Sequence, residues 1–136
     1  MSTQIIQTLL DAQVQTISGL PVLQTENNRL NATTNLASFV RTTLLPAASS
    51  ILTLGSGANA MRLLTGLYQV DVFYPLDTGS SAARTLADTV VSTFPTGLRL
   101  TQGAVTVAVE VASVMTAYSI NKYYCVPVRV QWTVYL

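Results

Sequence analysis

The chain has 136 residues, of which 49% are hydrophobic and only 10% charged, and its formal net charge is +1. That length suits one folded unit with its own core. An average soluble domain is roughly 25% charged, so here hydroxyls, amides and apolar atoms must form much of the surface, as suits a chain that packs against further subunits.

There is no histidine, and Cys125 is the only cysteine. This excludes an internal disulfide framework, a Cys–His or Ser–His pair and a histidine-containing zinc site. Lys122 is the only lysine, so no basic stripe exists for reading DNA. The acids Asp11, Glu26, Asp71, Asp77, Asp88 and Glu110 are scattered singly and form no cluster of the kind that holds a metal or an acid/base pair. No cofactor is expected. The amino-terminal MSTQIIQTLLDAQ lacks a basic segment and carries Asp11, unlike a secretory signal. No apolar run reaches about 18 residues, so no membrane span is expected. The expected setting is a reducing cytoplasm, or something assembled there.

Along residues 3–17, Ile5, Ile6, Leu9, Leu10, Gln13, Val14 and Ile17 recur at spacings of three and four, which predicts an amphipathic helix. Ser2 or Thr3 can cap its start, and Gly19 with Pro21 stops it. Residues 18–34 have loop chemistry with a possible short strand at Leu20–Leu23. Residues 35–45, NLASFVRTTLL, read as a strand that Pro46 ends, with Phe39, Arg41 and Thr43 on one face and Ser38, Val40 and Thr42 on the other. The stretch 46–66 has the Gly55-Ser56-Gly57 turn between two apolar runs and predicts a long hairpin or arm. Residues 66–74, GLYQVDVFY, alternate strictly and form the clearest central strand. Tyr68, Val70, Val72 and Tyr74 share one face; Leu67, Gln69, Asp71 and Phe73 share the other. Asp71 fits an ion pair, with an arginine as partner.

The tetrapeptide Asp77-Thr78-Gly79-Ser80 matches the one that opens an aspartic-protease active site. Residues 80–94 follow it at once with a helical stripe: Ala83, Leu86, Ala87, Val90, Val91 and Phe94. In that context Asp77 or Ser80 reads as a helix N-cap rather than a catalytic acid. Arg84 and Asp88, four apart on the polar side, can pair weakly. Short strands follow at Leu98–Thr101 and Val105–Val111 around a turn at Gly103. An irregular stretch, Ala112–Lys122, precedes a last strand, YYCVPVRVQWTVYL, about 40 Å long. Pro127 has no amide to donate and belongs at an edge or bulge. Cys125 reads as a buried, inert thiol. The predicted fold is α+β: a single domain over 1–136, with a small mixed or antiparallel sheet, two helices packed on one face, and an extended hairpin arm at 46–66.

The run GLYQVDVFYPLDTGSSAARTLADTVVSTFPTGLRLTQGAVTV resembles the bacteriophage tail terminator, or tail-completion, family. The family's pattern is GLYQVDV-x-x-P, a Gly-rich turn, an A-x-x-LAD helix, FP-x-G and L-x-x-GGVTV. The closing YYCVPVRVQWTVY is similar to that family's last strand. The likeness covers residues 60–136 well, and the first 45 residues agree only in plan. It implies a structural virion protein and not an enzyme. Such a protein forms a homo-hexameric ring that caps the tail tube, stops its polymerisation and meets the head-completion or neck proteins, with DNA only as cargo passing through the lumen. It implies a place in the virion, assembled in the bacterial host cytoplasm. The alternatives are a tail-tube or head–tail joining subunit of related fold and, more remotely, a homodimeric aspartic protease built on Asp77. The interface is expected at Phe39, Arg41, Thr43, Leu52, Leu54, Leu67, Gln69, Asp71 and Arg129.

Overall fold

The computed structural model describes residues 2–18, 22–24, 38–51, 62–77, 79–103, 105–120 and 122–135. In chain order the elements are α1 (Ser2–Val14), β1 (Val22–Gln24), β2 (Phe39–Ile51), β3 (Arg62–Pro75), α2 (Ser81–Thr93), β4 (Arg99–Gln102), β5 (Val105–Val114), β6 (Tyr118–Ile120) and β7 (Tyr123–Tyr135). The strands form one curled sheet in the order β1-β2-β3-β7-β5-β4, with β6 pairing β7. Only the β1–β2 pairing is parallel; the other pairings are antiparallel.

Both helices pack on the same face of this sheet. The α1 stripe buries Ile6, Leu10, Val14 and Ile17, and the α2 stripe buries Ala83, Leu86, Ala87 and Val90. Opposite them stand Val40 and Leu44 of β2, Tyr68, Val70 and Val72 of β3, Val105, Val107 and Val109 of β5, and the even-numbered β7 row from Val126 to Val134. Each side chain of this size contributes about 1.5–3 kcal/mol on burial, so the helical period of one layer and the alternation of the other make one core. Two polar contacts tie the core to the helices, while Thr42 Oγ1 and Trp132 Nε1 are buried without a hydrogen-bond partner among the described residues. Tyr68 Oη donates to Asp11 Oδ1, and Gln13 Nε2 donates to the Thr93 carbonyl at 2.9 Å, tying α1 to the end of α2.

Three local expectations need correction. Pro46 does not end its strand: β2 runs on to Ile51, with a shift in register between Pro46 and Ser49. Among the described residues β1 covers only Phe39–Arg41 of β2, and the proline lies where the β2–β3 ladder is irregular. Residues 46–51 and 62–66 therefore continue the β2–β3 ribbon, and the remainder of the arm, Leu52 and Leu54 included, lies outside the described residues. Residues 112–122 are not all irregular, since β5 continues to Val114 and β6 pairs with β7. Pro127 is on an interior strand rather than an edge. Its carbonyl accepts from Met115 N at 2.8 Å, and the nitrogen of the same strand residue points the same way. The missing donor thus faces the interval between β5 and β6.

Ser80 holds the N-cap position of α2, but its backbone is in the right-handed helical region (φ −102°, ψ −9°) and its side chain makes no capping hydrogen bond. A capping serine usually has extended backbone, which aims its oxygen at the free amides. Asp77 lies in the preceding turn with φ 65°, a left-handed conformation that aspartate tolerates better than most residues. The motif's letters thus belong to a strand-to-helix turn. Arg84 donates to Tyr124 Oη at 3.3 Å rather than to Asp88.

Candidate assembly interface

Neither helix packs on the second face of the sheet. Residues directly opposite in an antiparallel ladder project to the same side, so register turns single strands into rows across this face. One row is Phe39, Phe73, Cys125 and Tyr118; the next is Arg41, Asp71 and Pro127; then come Thr43, Gln69, Arg129 and Ser113; and the last is Leu45, Leu67, Gln131 and Val111. All seven described residues of the expected interface, Phe39, Arg41, Thr43, Leu67, Gln69, Asp71 and Arg129, stand on these four rows.

Their exposure differs. Phe39 and Phe73 are buried, stacked with ring centroids 4.5 Å apart, and Tyr123 meets the Phe39 ring edge-on at 5.1 Å. Asp71 is also buried. Its carboxylate accepts from Arg41 Nη2 at 3.3 Å and from Gln69 Nε2 at 2.8 Å. The Arg41 guanidinium is 4.9 Å from the Phe73 ring centroid, and its side chain remains 44% exposed. Asp71 therefore acts from below, fixing an arginine that the surface presents. Arg129 is exposed.

The large apolar side chains left exposed concentrate here. Leu45, Val111, Tyr118 and Ile120 all lie on this face, each 40–43% exposed. Near the β5 irregularity an open hollow of about 360 Å³ is bordered by Leu67, Glu110 and Gln131, with Thr133 Oγ1 donating to Glu110 Oε1 at 2.9 Å. Tyr118 and Cys125 are coupled across the β6–β7 pair. Burial pushes the Cys125 thiol up to about 11, and the hydrogen bond to Cys125, with burial second, pushes the Tyr118 hydroxyl up to about 12.

Sequence reasoning passed over Val111, Tyr118 and Ile120. β6 has three residues, too few for a period to emerge. The register shift between Val109 and Val111 changes which residues face the core: Val105, Val107 and Val109 point in, then Ala112 and Val114 do, while Val111 turns outward. The only signal for this was Glu110, a charge inside an apolar strand and adjacent to the shift.

Among the described residues no cluster of His, Cys, Asp or Glu could hold a metal, and no helix is long and apolar enough to cross a membrane. The geometry is that of an α+β domain with one sheet face closed by helices and the other, among the described residues, uncovered, apolar and lightly charged.

A family model described as phage tail terminator protein matches residues 5–132, and the chain belongs to that family. It is a family of structural proteins of the phage tail rather than of enzymes. A solved structure that carries no functional description shares the fold at 23% identity, with a TM-score of 0.75 over 98% of this chain and 96% of that one. No curated protein matches the chain.

Proposed function

We propose that the protein is the tail terminator of a long-tailed phage. Six copies form a ring that caps the tail tube, stops its growth and presents a surface to the head-completion or neck proteins, and DNA passes through the lumen. It acts in the virion after assembly in the host cytoplasm. The observation that carries this reading, beyond family membership, is the open sheet face. Four of its large apolar side chains are 40–43% exposed, a pattern suited to burial against further subunits. The net charge of +1 agrees with DNA as cargo, because a wall lined with many cations would hold the phosphates tightly and in a salt-dependent way.

The test is mass in solution by light scattering, with negative-stain images in the presence and absence of tail tubes. Six-fold rings, alone or only at tube ends, are the expected result. Long tubes from the protein alone would reassign it to the tube subunits, and a species indifferent to tubes would remove the capping role.

A further inference from the structure

Apart from Asp77 and Lys122, at the end of the sheet where Leu76 N donates to the Lys122 carbonyl, the charges left without a partner among the described side chains are sorted by side. The open sheet face has Arg129 in its Thr43–Gln69–Arg129–Ser113 row and Arg99, opposite Ala108, nearer the β4 edge. Both are exposed. The acids of that face are already engaged, Asp71 by Arg41 and Gln69, and Glu110 by the Thr133 hydroxyl. On the opposite side of the molecule α2 turns its polar face outward. There Asp88 is exposed and has no partner, while Arg84 is taken by Tyr124.

The outer face of α2 is also built for close contact. Apart from Arg84 and Asp88 its exposed residues are small: Ser81, Ala82, Thr85, Thr89 and Ser92. Their hydroxyls do not all need water. Thr89 Oγ1 donates to the Thr85 carbonyl at 3.0 Å and Ser92 Oγ to the Asp88 carbonyl at 3.1 Å. A donor satisfied within its own helix loses little on burial. Around Arg129, the open face offers Val111 in the row to one side and Tyr118 two rows to the other, both exposed.

The geometry points to a head-to-tail contact between copies of this chain, with the outer face of α2 of one copy on the open sheet face of the next and Asp88 against Arg129 of that next copy. The inference rests on the ring proposed above. A closed ring joins two different patches of each subunit, and the two sides of a helix-on-sheet layer pair supply them. The surplus cation on one side and the surplus anion on the other set the direction of stacking, and face-to-face pairing of two sheets would leave Asp88 outside the contact.

The experiment uses the full chain with Asp88→Arg and Arg129→Asp, singly, combined in one chain, and as an equimolar mixture of the two single variants. Assembly is read by light scattering with and without tail tubes. Each single reversal is expected to raise the concentration for half-assembly by about tenfold or more. The combined variant should return to within about threefold of the wild type, since the two effects couple. The mixture should also assemble, because in a ring of even number the two variants can alternate so that every contact is again of opposite sign. That last result guards against misfolding, because an unfolded variant gains nothing from mixing. If wild type assembles while the single reversals assemble equally well, or if neither the combined variant nor the mixture recovers, the Asp88–Arg129 contact is overturned and the ring stands. Wild type that never assembles, with tubes or without, overturns both.

Discussion

Gly66 should not tolerate even a methyl group. It lies in the middle of β3, paired with Pro46 on one side and Trp132 on the other. A Cβ placed there would sit 2.5 Å from Trp132 Cζ2 and 2.7 Å from the Leu45 carbonyl oxygen. Neither neighbour has room to move: Trp132 is 2% exposed within the core, and the Leu45 oxygen belongs to the backbone of a paired strand. Overpacking of this kind costs about 1–3 kcal/mol, offset by about 0.4–1 kcal/mol from the lower chain entropy of alanine in the unfolded state. The net loss for Gly66→Ala is then about 1–2 kcal/mol, a fall of several degrees in Tm for a domain of this size. Urea titration followed by far-UV circular dichroism is the assay, since Trp132, the residue displaced, is the only tryptophan and is itself replaced in part of the comparison. Trp132→Phe removes one of the ring atoms in conflict, so the pair should be less than additive, with Gly66→Ala costing less in the Trp132→Phe background. A Gly66→Ala protein as stable as wild type, or more stable, would refute the reasoning, because it would mean that the indole and the β2 backbone yield freely.

Two further outcomes are expected. Removing Arg41 should cost more than neutralising its partner: Arg41→Leu leaves the Asp71 carboxylate, 2% exposed, with Gln69 alone, at about 2–4 kcal/mol, whereas Asp71→Asn keeps an acceptor and leaves a half-exposed arginine to water, at about 1 kcal/mol. Urea midpoints of the two variants decide the order. The Cys125 thiol, raised by burial from 9.0 to about 11, and the Tyr118 hydroxyl, raised from 10.0 to about 12, both favour their protonated forms in the fold, so the stability they contribute is complete below about pH 9 and is lost as pH rises from 9 towards 12. Thermal melts from pH 8 to 11 should fall along that range, Cys125→Ala should flatten the first part of the fall, and the native thiol should stay silent to a disulfide reagent at pH 8 until the protein is denatured.

Where a period is long, the sequence alone is a sound guide to this fold. The β7 rows alternate over some thirteen residues and the β3 rows over 66–74, α1 and α2 each repeat their stripe over three turns, and the sequence places these four elements within about four residues of their observed ends. The misreadings within the strands share one physical origin: each lies where the ladder to a neighbouring strand, rather than the local sequence, decides what a residue does. Pro46 is tolerated where the β2–β3 register shifts. Pro127 is accommodated on an interior strand because β5 gives way to β6 beside it. Val111 turns outward because the ladder slips next to Glu110. A proline or a period read within one segment gives no information about the state of the next strand.

That the candidate residues share one face was legible for a related reason. Alternation within a strand gives each residue a parity, and the sequence groups Phe39, Arg41 and Thr43 of β2 and Leu67, Gln69, Asp71 and Phe73 of β3 on that basis. Parity alone leaves open whether three strands agree, since a slip of one residue exchanges the faces of a strand. The observed register places Arg41 opposite Asp71, Asp71 opposite Pro127, and Gln69 opposite Arg129, so the odd rows coincide and the candidate residues form one surface. Register also divides their roles in a way that composition could not. Phe39 and Asp71, the least polar and the most polar members, are both buried. They hold Arg41 in position through a stacked ring pair and an ion pair, and the surface that a neighbouring copy can meet is formed by Arg41, Thr43, Leu67, Gln69 and Arg129, together with the exposed Val111 and Tyr118. On this face an assembly variant that acts through contact must therefore change these residues, whereas substitutions at Phe39 or Asp71 should first appear as lost stability of the isolated chain.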